Sequence, residues 1–273
     1  FSKIIFLNAG TLNSTLIMLN SMSDRFPNGF GNDSGELGHN LMDHHFRLGA
    51  EGITEDFSDK YYKGRKPSGF YLARFRNLDQ ASTQKDFVRG YGYQGGASRQ
   101  GWWRSVAEMG VGGEWKDKWS DPGKWSLGML AFGECLPYHE NQVTLNMDKL
   151  DQWGMPTLSI DCEWKENELN MRKDMKASAA EMLEAAGFKD VSTFEGTSNP
   201  GAGIHEMGTA RMGRDPKTSV LNEWNQEHAC KNVFVTDGAC MTLSACQNPS
   251  LTYMALTARA ADYAVKELNK QNL

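Results

Sequence analysis

The sequence predicts a mixed α/β and α+β fold, in which an antiparallel-sheet domain with helices is inserted into part of a nucleotide-binding type of α/β domain. Three observations predict it. The chain opens on an apolar run, Lys3–Leu7, then a small-residue turn, Asn8-Ala9-Gly10, then a helical stretch from Thr11 to about Asn20. That order of strand, turn and helix suits a nucleotide-binding unit. From about residue 46 to 165 the texture changes to short β-leaning runs separated by Gly and Asp/Asn turns, as in an antiparallel sheet. Near the end α/β texture returns: Val233–Thr236 reads as a buried strand stopped by Asp237-Gly238, and a long helix follows. Residues 1–45 and 212–273 are therefore expected to form one domain, and residues 46–211 the other.

The elements follow in order. After the first helix, residues 23–33 are turn-rich, with Pro27, Gly29 and Gly31, and lead into the segment Gly35–His45. The β-leaning runs are Gly69–Phe75, Asp86–Tyr93, Trp125–Phe132, Gln142–Met147 and Thr157–Trp164. Residues 166–187 form the clearest helix, with Leu169, Met175, Ala179, Met182, Leu183 and Ala186 at helical spacing and Gly187 where a C-terminal capping glycine belongs. The last helix opens at Pro249, a favoured first position, with Leu251, Met254, Ala255, Ala258, Val265 and Leu268 along its expected apolar face. There is no internal repeat and no low-complexity linker.

Composition narrows the function classes. The 273 residues, 40% hydrophobic and 23% charged, are those of a globular protein with a sizeable core. A formal charge of -5 speaks against a nucleic-acid partner, which needs a basic face. Trp102-Trp103, between Arg99 and Arg104, could stack bases, but a packed or substrate-facing aromatic pair suits the acidic balance better. No apolar run reaches the ~20 residues of a membrane span. The chain starts at Phe1, so a beginning further upstream is expected, and the compartment, cytoplasmic or periplasmic, stays open. Cys135, Cys162, Cys230, Cys240 and Cys246 are scattered without a C-x-x-C, a pattern of idle thiols with neither a disulfide framework nor a metal site.

Four motifs carry candidate chemistry. Gly90-Tyr91-Gly92-Tyr93-Gln94-Gly95 matches G-x-G-x-x-G after a possible strand, but the dinucleotide fingerprint needs a helix starting inside the motif. Bulky tyrosines and further glycine make a loop of the sheet domain the better reading. The second motif is Gly203–Gly213, which contains His205, Gly208-Thr209 and Arg211-Met212-Gly213. The third is Val235-Thr236-Asp237-Gly238-Ala239, a strand ending where open α/β sheets bind ligands. The fourth is Gln247-Asn248-Pro249-Ser250-Leu251-Thr252, a helix start that Asn248 could cap.

The order of His-x-x-Gly-Thr, Arg-Met-Gly, a strand ending in Asp-Gly, and Asn-Pro-Ser-Leu-Thr before an Ala-rich helix resembles the C-terminal signature of glucose–methanol–choline (GMC) oxidoreductases. Ala9-Gly10, Gly38–His44, Tyr138–Leu145 and Trp153-Gly154-Met155-Pro156 resemble that family's middle segments, and the sugar- and polyol-oxidising branch is the nearest in flavour. The resemblance implies a flavoprotein that uses FAD to oxidise CH–OH groups of an alcohol, sugar or polyol, with an unspecified electron acceptor. It makes 1–45 and 212–273 part of an FAD-binding domain and 46–211 a substrate-binding domain. The family's glycine-rich βαβ unit lies N-terminal to these segments, so the chain as given is expected to be inactive alone and to hold FAD weakly.

The resemblance also implies the site. His205 is the general base and Asn248 its polar partner at the substrate hydroxyl; a histidine near neutral pKa suits that task. His44, His45, His139 and His228 are alternative bases outside the matching motif. Ala9, Gly10, Asn40, Asp237, Gly238, Ala239, Asn248 and Pro249 belong to the cofactor side, where the helix start after Asn248 would favour anionic flavin. Two other readings stay open: a nicotinamide-dependent dehydrogenase using the Gly90 motif, and a binding module in which His205 and Asn248 only shape loops.

Overall fold

The computed structural model describes residues 2–60, 69–101, 110–120, 123–196 and 199–273. Trp102, Trp103 and Arg104 lie outside the described residues. The fold is mixed α and β with antiparallel sheets, and the chain divides into two compact units: Phe46–Gly133 with Leu169–Thr197, and Phe1–His45 with Glu134–Glu168 and Ser198–Leu273. Residues 134–168 and 198–211 thus pack with the ends of the chain, whereas the sequence drew them into 46–211. The physical reason is backbone pairing. Val143 donates its N–H to Gly38 at 2.8 Å, and Met42 and Met207 exchange N–H···O bonds of 2.9 Å.

The unit built on residues 46–133 holds a five-stranded antiparallel sheet. Its strands are β2 (Leu48–Thr54), β3 (Gly69–Leu72), β4 (Tyr91–Arg99), β5 (Trp125–Gly133) and β8 (Lys189–Glu195), in the order β3-β4-β5-β2-β8. Helix α3 (Glu166–Ala185) presents Met171, Met175, Ala179 and Leu183, and these join Leu48, Ala50, Tyr91, Tyr93, Met129 and Ala131 in one core. The buried stripe is i, i+4, i+8, i+12, so Leu169, expected inside, is 49% exposed. Polar anchors tie helix to sheet. The Tyr93 hydroxyl donates to the Met175 carbonyl at 2.6 Å, and Arg76 clasps Asp174 through 2.8 and 3.0 Å bonds. The helix ends as expected at Gly187, with Phe188 N–H on Leu183 O and Gly187 N–H on Glu184 O, both 3.0 Å, the paired bonds of a Schellman cap.

The Gly90 motif is neither a loop nor a cofactor turn. Tyr91–Arg99 is β4, paired with both β3 and β5, and Tyr91 and Tyr93 are fully buried. A Cβ on Gly95 would run into the Phe70 ring and the Gly128 carbonyl; the glycine is there so that neighbouring strands and a ring can close over it. With no helix start in the motif, the nicotinamide reading loses its structural requirement.

The other unit is built on a parallel pair, β1 (Ile5–Leu7) with β9 (Val233–Val235). It also holds helices α1 (Thr11–Asn20) and α4 (Ser250–Asn269) and the hairpin β6–β7 (Gln142–Leu150, Pro156–Asp161). Helix α4 buries Ala260 and Ala264 against Phe234, while Leu251 and Met254, expected on its apolar face, are 77% and 68% exposed. Small residues allow that close approach, and Tyr263 beside them stacks on Trp224 with ring centroids 4.7 Å apart. Helix α2 (Gly113–Ser120) and strands β2 and β8 have no counterpart in the sequence reading. No helix among the described residues is long and apolar enough to cross a membrane.

Gly95→Val should destabilise the five-stranded unit by about 1–3 kcal/mol, the usual cost of forcing atoms into a filled site. Denaturant unfolding of the variant beside the parent measures it, and an unchanged midpoint would contradict the packing described.

Candidate active site

Two loops meet at one buried carboxylate. Asp43 is 1% exposed. Its Oδ1 accepts the N–H groups of His44 (2.7 Å) and His205 (3.1 Å), and its Oδ2 those of Gly201 (2.9 Å) and Gly203 (2.8 Å). Converging amides of this kind satisfy a buried anion that would otherwise be costly. A Cβ on Gly203 would strike the Asp43 carboxylate, so the loop can close on it only with glycine there. Ile204 has φ 54, left-handed backbone that a β-branched residue rarely adopts and that costs about 1–2 kcal/mol. The amides on either side of Ile204 are both held by Asp43, and that grip maintains the bend that presents His205.

His205 is half-buried. Its Nδ1 lies 2.9 Å from Nδ1 of His44, and the two rings meet edge to face at 4.8 Å. The other ring nitrogen of His44, Nε2, bonds the Ala245 carbonyl. Burial pushes the His44 pKa down to about 4, and burial also lowers that of His205, partly opposed by the Asp43 charge. Both rings are therefore neutral near pH 7, and His205 is a competent proton acceptor. His45 is buried with Nε2 at 3.1 Å from the Glu134 carbonyl. His139 stacks on His39 at 4.0 Å, and His228 bonds Ser219 at 2.9 Å.

The segment after His205 runs beside the Asp-Gly turn. Gly208 N–H donates to Gly238 O (3.1 Å), Ala210 N–H to Ala239 O (2.8 Å) and Met212 N–H to Cys240 O (3.0 Å). Helix α1 is stitched to the same segment: Thr11 Oγ1 donates to the Glu206 carbonyl at 2.5 Å, and Thr15 pairs with Thr209 at 2.7 Å. Asp237 closes the turn. Its carboxylate accepts from Gly10 N–H (3.0 Å), Ala239 N–H (3.0 Å) and the Ser14 hydroxyl. So three sequence motifs far apart in the chain, at Ala9-Gly10, His205–Thr209 and Asp237–Ala239, converge.

Several expected residues have local duties. Asp237 is fully engaged by protein donors, and the Gly238 carbonyl and both backbone groups of Ala239 are taken up within the protein as well. Asn40, buried with φ 61, donates to Glu36 at 2.7 Å and accepts from Arg211 at 3.4 Å. Asn248 is exposed three residues beyond Ala245, the residue that His44 holds. Pro249 is the N-cap of α4, and that helix start carries no side-chain cap and no acidic residue in its first turn; α1, capped by Gly10, has neither. Uncapped helix starts of this kind suit an anionic group.

Tyr253, in the first turn of α4, was not singled out by the sequence. Its buried hydroxyl has no partner among the described residues, and a Cβ on Gly238 would lie 2.8 Å from it. Asp43, Gly203 and Thr11 are other site-forming residues the sequence reading gave no role, and His44 it named only as an alternative base. Gly203 and Asp43 do lie inside segments it quoted, and an i, i+2 spacing of glycine to histidine was the available signal.

Residues 137–257 match the family model described as GMC oxidoreductase. A 2-methyl-1,2-propanediol dehydrogenase of Mycolicibacterium austroafricanum is 32% identical over 273 residues, covering 96% of this chain and 48% of that protein. The fructose dehydrogenase large subunit of Gluconobacter japonicus is 27% identical over 273 residues, covering 98% and 48%. The chain spans about half the length of the curated relatives it matches. A solved formate oxidase shares the fold at TM-score 0.56 and 14% identity, over 100% of this chain and 55% of that one.

Asp43→Ala would strand four N–H groups, those of His44 and Gly203 buried and those of Gly201 and His205 partly so. It should cost about 2–6 kcal/mol of stability, given ~1–3 kcal/mol for each of the two buried donors left unsatisfied. Thermal or denaturant unfolding measures this; a loss below about 1 kcal/mol would remove Asp43 from the centre of the site.

Proposed function

We propose, on the premise that this chain carries the C-terminal region of a GMC oxidoreductase, that it serves an FAD-dependent enzyme oxidising the CH–OH group of an alcohol, sugar or polyol. The observation that carries the reading is His205: a neutral imidazole whose Nε2 has no partner among the described hydrogen bonds, on a loop stitched to the Asp237–Ala239 turn. Relatives named as dehydrogenases of a diol and of fructose support the substrate class.

FAD is the family's cofactor, and the residues here fit part of it. The uncapped starts of α1 and α4 and the unpartnered Tyr253 hydroxyl suit a large, partly anionic group. Ala9, Gly10, Gly238, Ala239 and Pro249 would line it, with Asp237 and Asn40 holding their loops. In this reading residues 1–45 and 212–273 serve the flavin domain, and the five-stranded sheet within 46–211 serves the substrate domain. The bound flavin supplies a hydride acceptor. The chain's own residues do the proton work: His205 Nε2 takes the hydroxyl proton as the C–H bond is cleaved, and Asn248 orients the hydroxyl by hydrogen bonding.

In the full-length protein His205→Ala should slow flavin reduction by roughly 10²–10⁴-fold, the usual worth of a positioned base, with flavin content near parental. Asn248→Ala should cost less rate and retain less flavin. Stopped-flow reduction with a panel of sugars and polyols reads both. A His205→Ala protein that holds its flavin and is reduced at the parental rate would sink the assignment.

A further inference from the structure

We propose that His44 is a positioning residue that sets the tautomer of His205, keeping the His205 proton on Nδ1 so that Nε2 is the free base. The proposal rests on the reading of His205 as the proton acceptor and adds the group that makes the correct nitrogen available. A histidine ring offers two nitrogens, and which one carries the proton is decided by the hydrogen bond the other makes.

The chain of donors can be followed atom by atom. The Ala245 carbonyl can only accept, so Nε2 of His44, which bonds it, is the protonated nitrogen of that ring. A neutral imidazole has one N–H, which leaves Nδ1 of His44 as a lone pair. That lone pair faces Nδ1 of His205 at 2.9 Å, a hydrogen-bond distance, so Nδ1 of His205 must be the donor. The proton of neutral His205 is then spent on His44, and Nε2 has none. His44 is buried with its pKa lowered to about 4, so the ring stays an acceptor near neutral pH. The two backbones are locked in register because His44 N–H and His205 N–H end on the same oxygen, Oδ1 of Asp43. Loop 244–246 is held in turn by Ser244, which exchanges hydrogen bonds with the Cys135 backbone at 2.8 and 3.2 Å. The acceptor for His44 is therefore itself fixed. No other motif residue reaches the inner nitrogen of His205 among the described hydrogen bonds.

Two substitutions separate positioning from packing. In His44→Asn the side-chain oxygen can replace Nδ1 as acceptor but cannot reach Ala245. In His44→Gln the amide can reach Ala245 but offers nothing at the Nδ1 position. The direct readout is long-range nitrogen-15 NMR of histidine-labelled full-length protein near neutral pH, with His205→Gln assigning the signal. The expected spectrum has His205 protonated on Nδ1 in the parent and in His44→Asn, and shifted toward Nε2 protonation in His44→Gln. Flavin reduction should fall further in His44→Gln than in His44→Asn, by roughly tenfold or more, at equal flavin content.

Protonation of His205 on Nε2 in the parent would overturn the proposal, and so would a His44→Gln spectrum identical to the parent's. If His44→Gln does not fold, the parent spectrum decides alone. A His205→Ala protein reduced at the parental rate would instead defeat the catalytic reading, whatever tautomer the spectrum reports.

Discussion

The site hangs on the Asp43 carboxylate. A buried charge is tolerated only when its lone pairs are filled, and here four backbone amides fill them, from His44, Gly201, Gly203 and His205. The same bonds hold Ile204 in left-handed backbone and set His205 beside His44. Once the loop is fixed there, the residues that follow have one place to go. Gly208, Ala210 and Met212 pair with the backbone of Gly238–Cys240, and Thr11 and Thr15 of α1 close over them. Two anionic residues thus organise the unit from opposite ends, Asp43 the histidine loop and Asp237 the turn that joins β9 to the start of α1.

Electrostatics then selects the chemistry. The rings of His44 and His205 are driven toward neutrality by burial, and neutral rings can pass a proton where two imidazolium ions would repel. The cysteines contribute nothing of the kind: burial pushes the Cys162 and Cys240 thiols up to about 12, away from thiolate chemistry. Among the described residues the Tyr253 phenol has no partner and the starts of α1 and α4 carry no side-chain cap; under the proposed function these would meet the flavin.

Much of this was legible in the sequence where local physics decides. Helix α1, strand β5, the β6–β7 hairpin and the glycine cap of α3 follow from apolar runs, turn residues and a C-terminal glycine. Strand β2, Leu-Gly-Ala-Glu-Gly-Ile-Thr, was not legible, because it lies between β5 and β8 and its glycines erase any alternation. Strand β8 carries charge at one edge of the sheet and looks like a loop. The buried face of α4 was misjudged because Ala260 and Ala264 pack by being small, and hydrophobicity alone favours the larger Leu251 and Met254; on α3 Met175, Ala179 and Leu183 were placed correctly and Leu169 was not. Within the site, His205 and the Asp-Gly turn were visible as motifs. The role of Asp43 was not, since a carboxylate gripping amides some 160 residues away leaves no mark in local sequence. The Gly90 motif departs in another sense: read as a loop of the sheet domain rather than a cofactor turn, it runs into strand β4, where Gly95 is small to let Phe70 and Gly128 approach.

The central claim is that His205, held neutral beside His44, is the base in alcohol oxidation. The pH dependence of anaerobic flavin reduction in the full-length protein tests it most directly. Burial lowers the His205 pKa below its ordinary 6.5, and the base acts only when unprotonated. The rate constant should therefore be level well above pH 6.5 and fall in acid through a single ionisation with its midpoint below 6.5, and that acid limb should vanish in His205→Ala. Facing carboxylates, Asp43 and Glu206, belong to the same surroundings, so an acid limb that persists unchanged in His205→Ala would assign the proton transfer elsewhere and contradict the account.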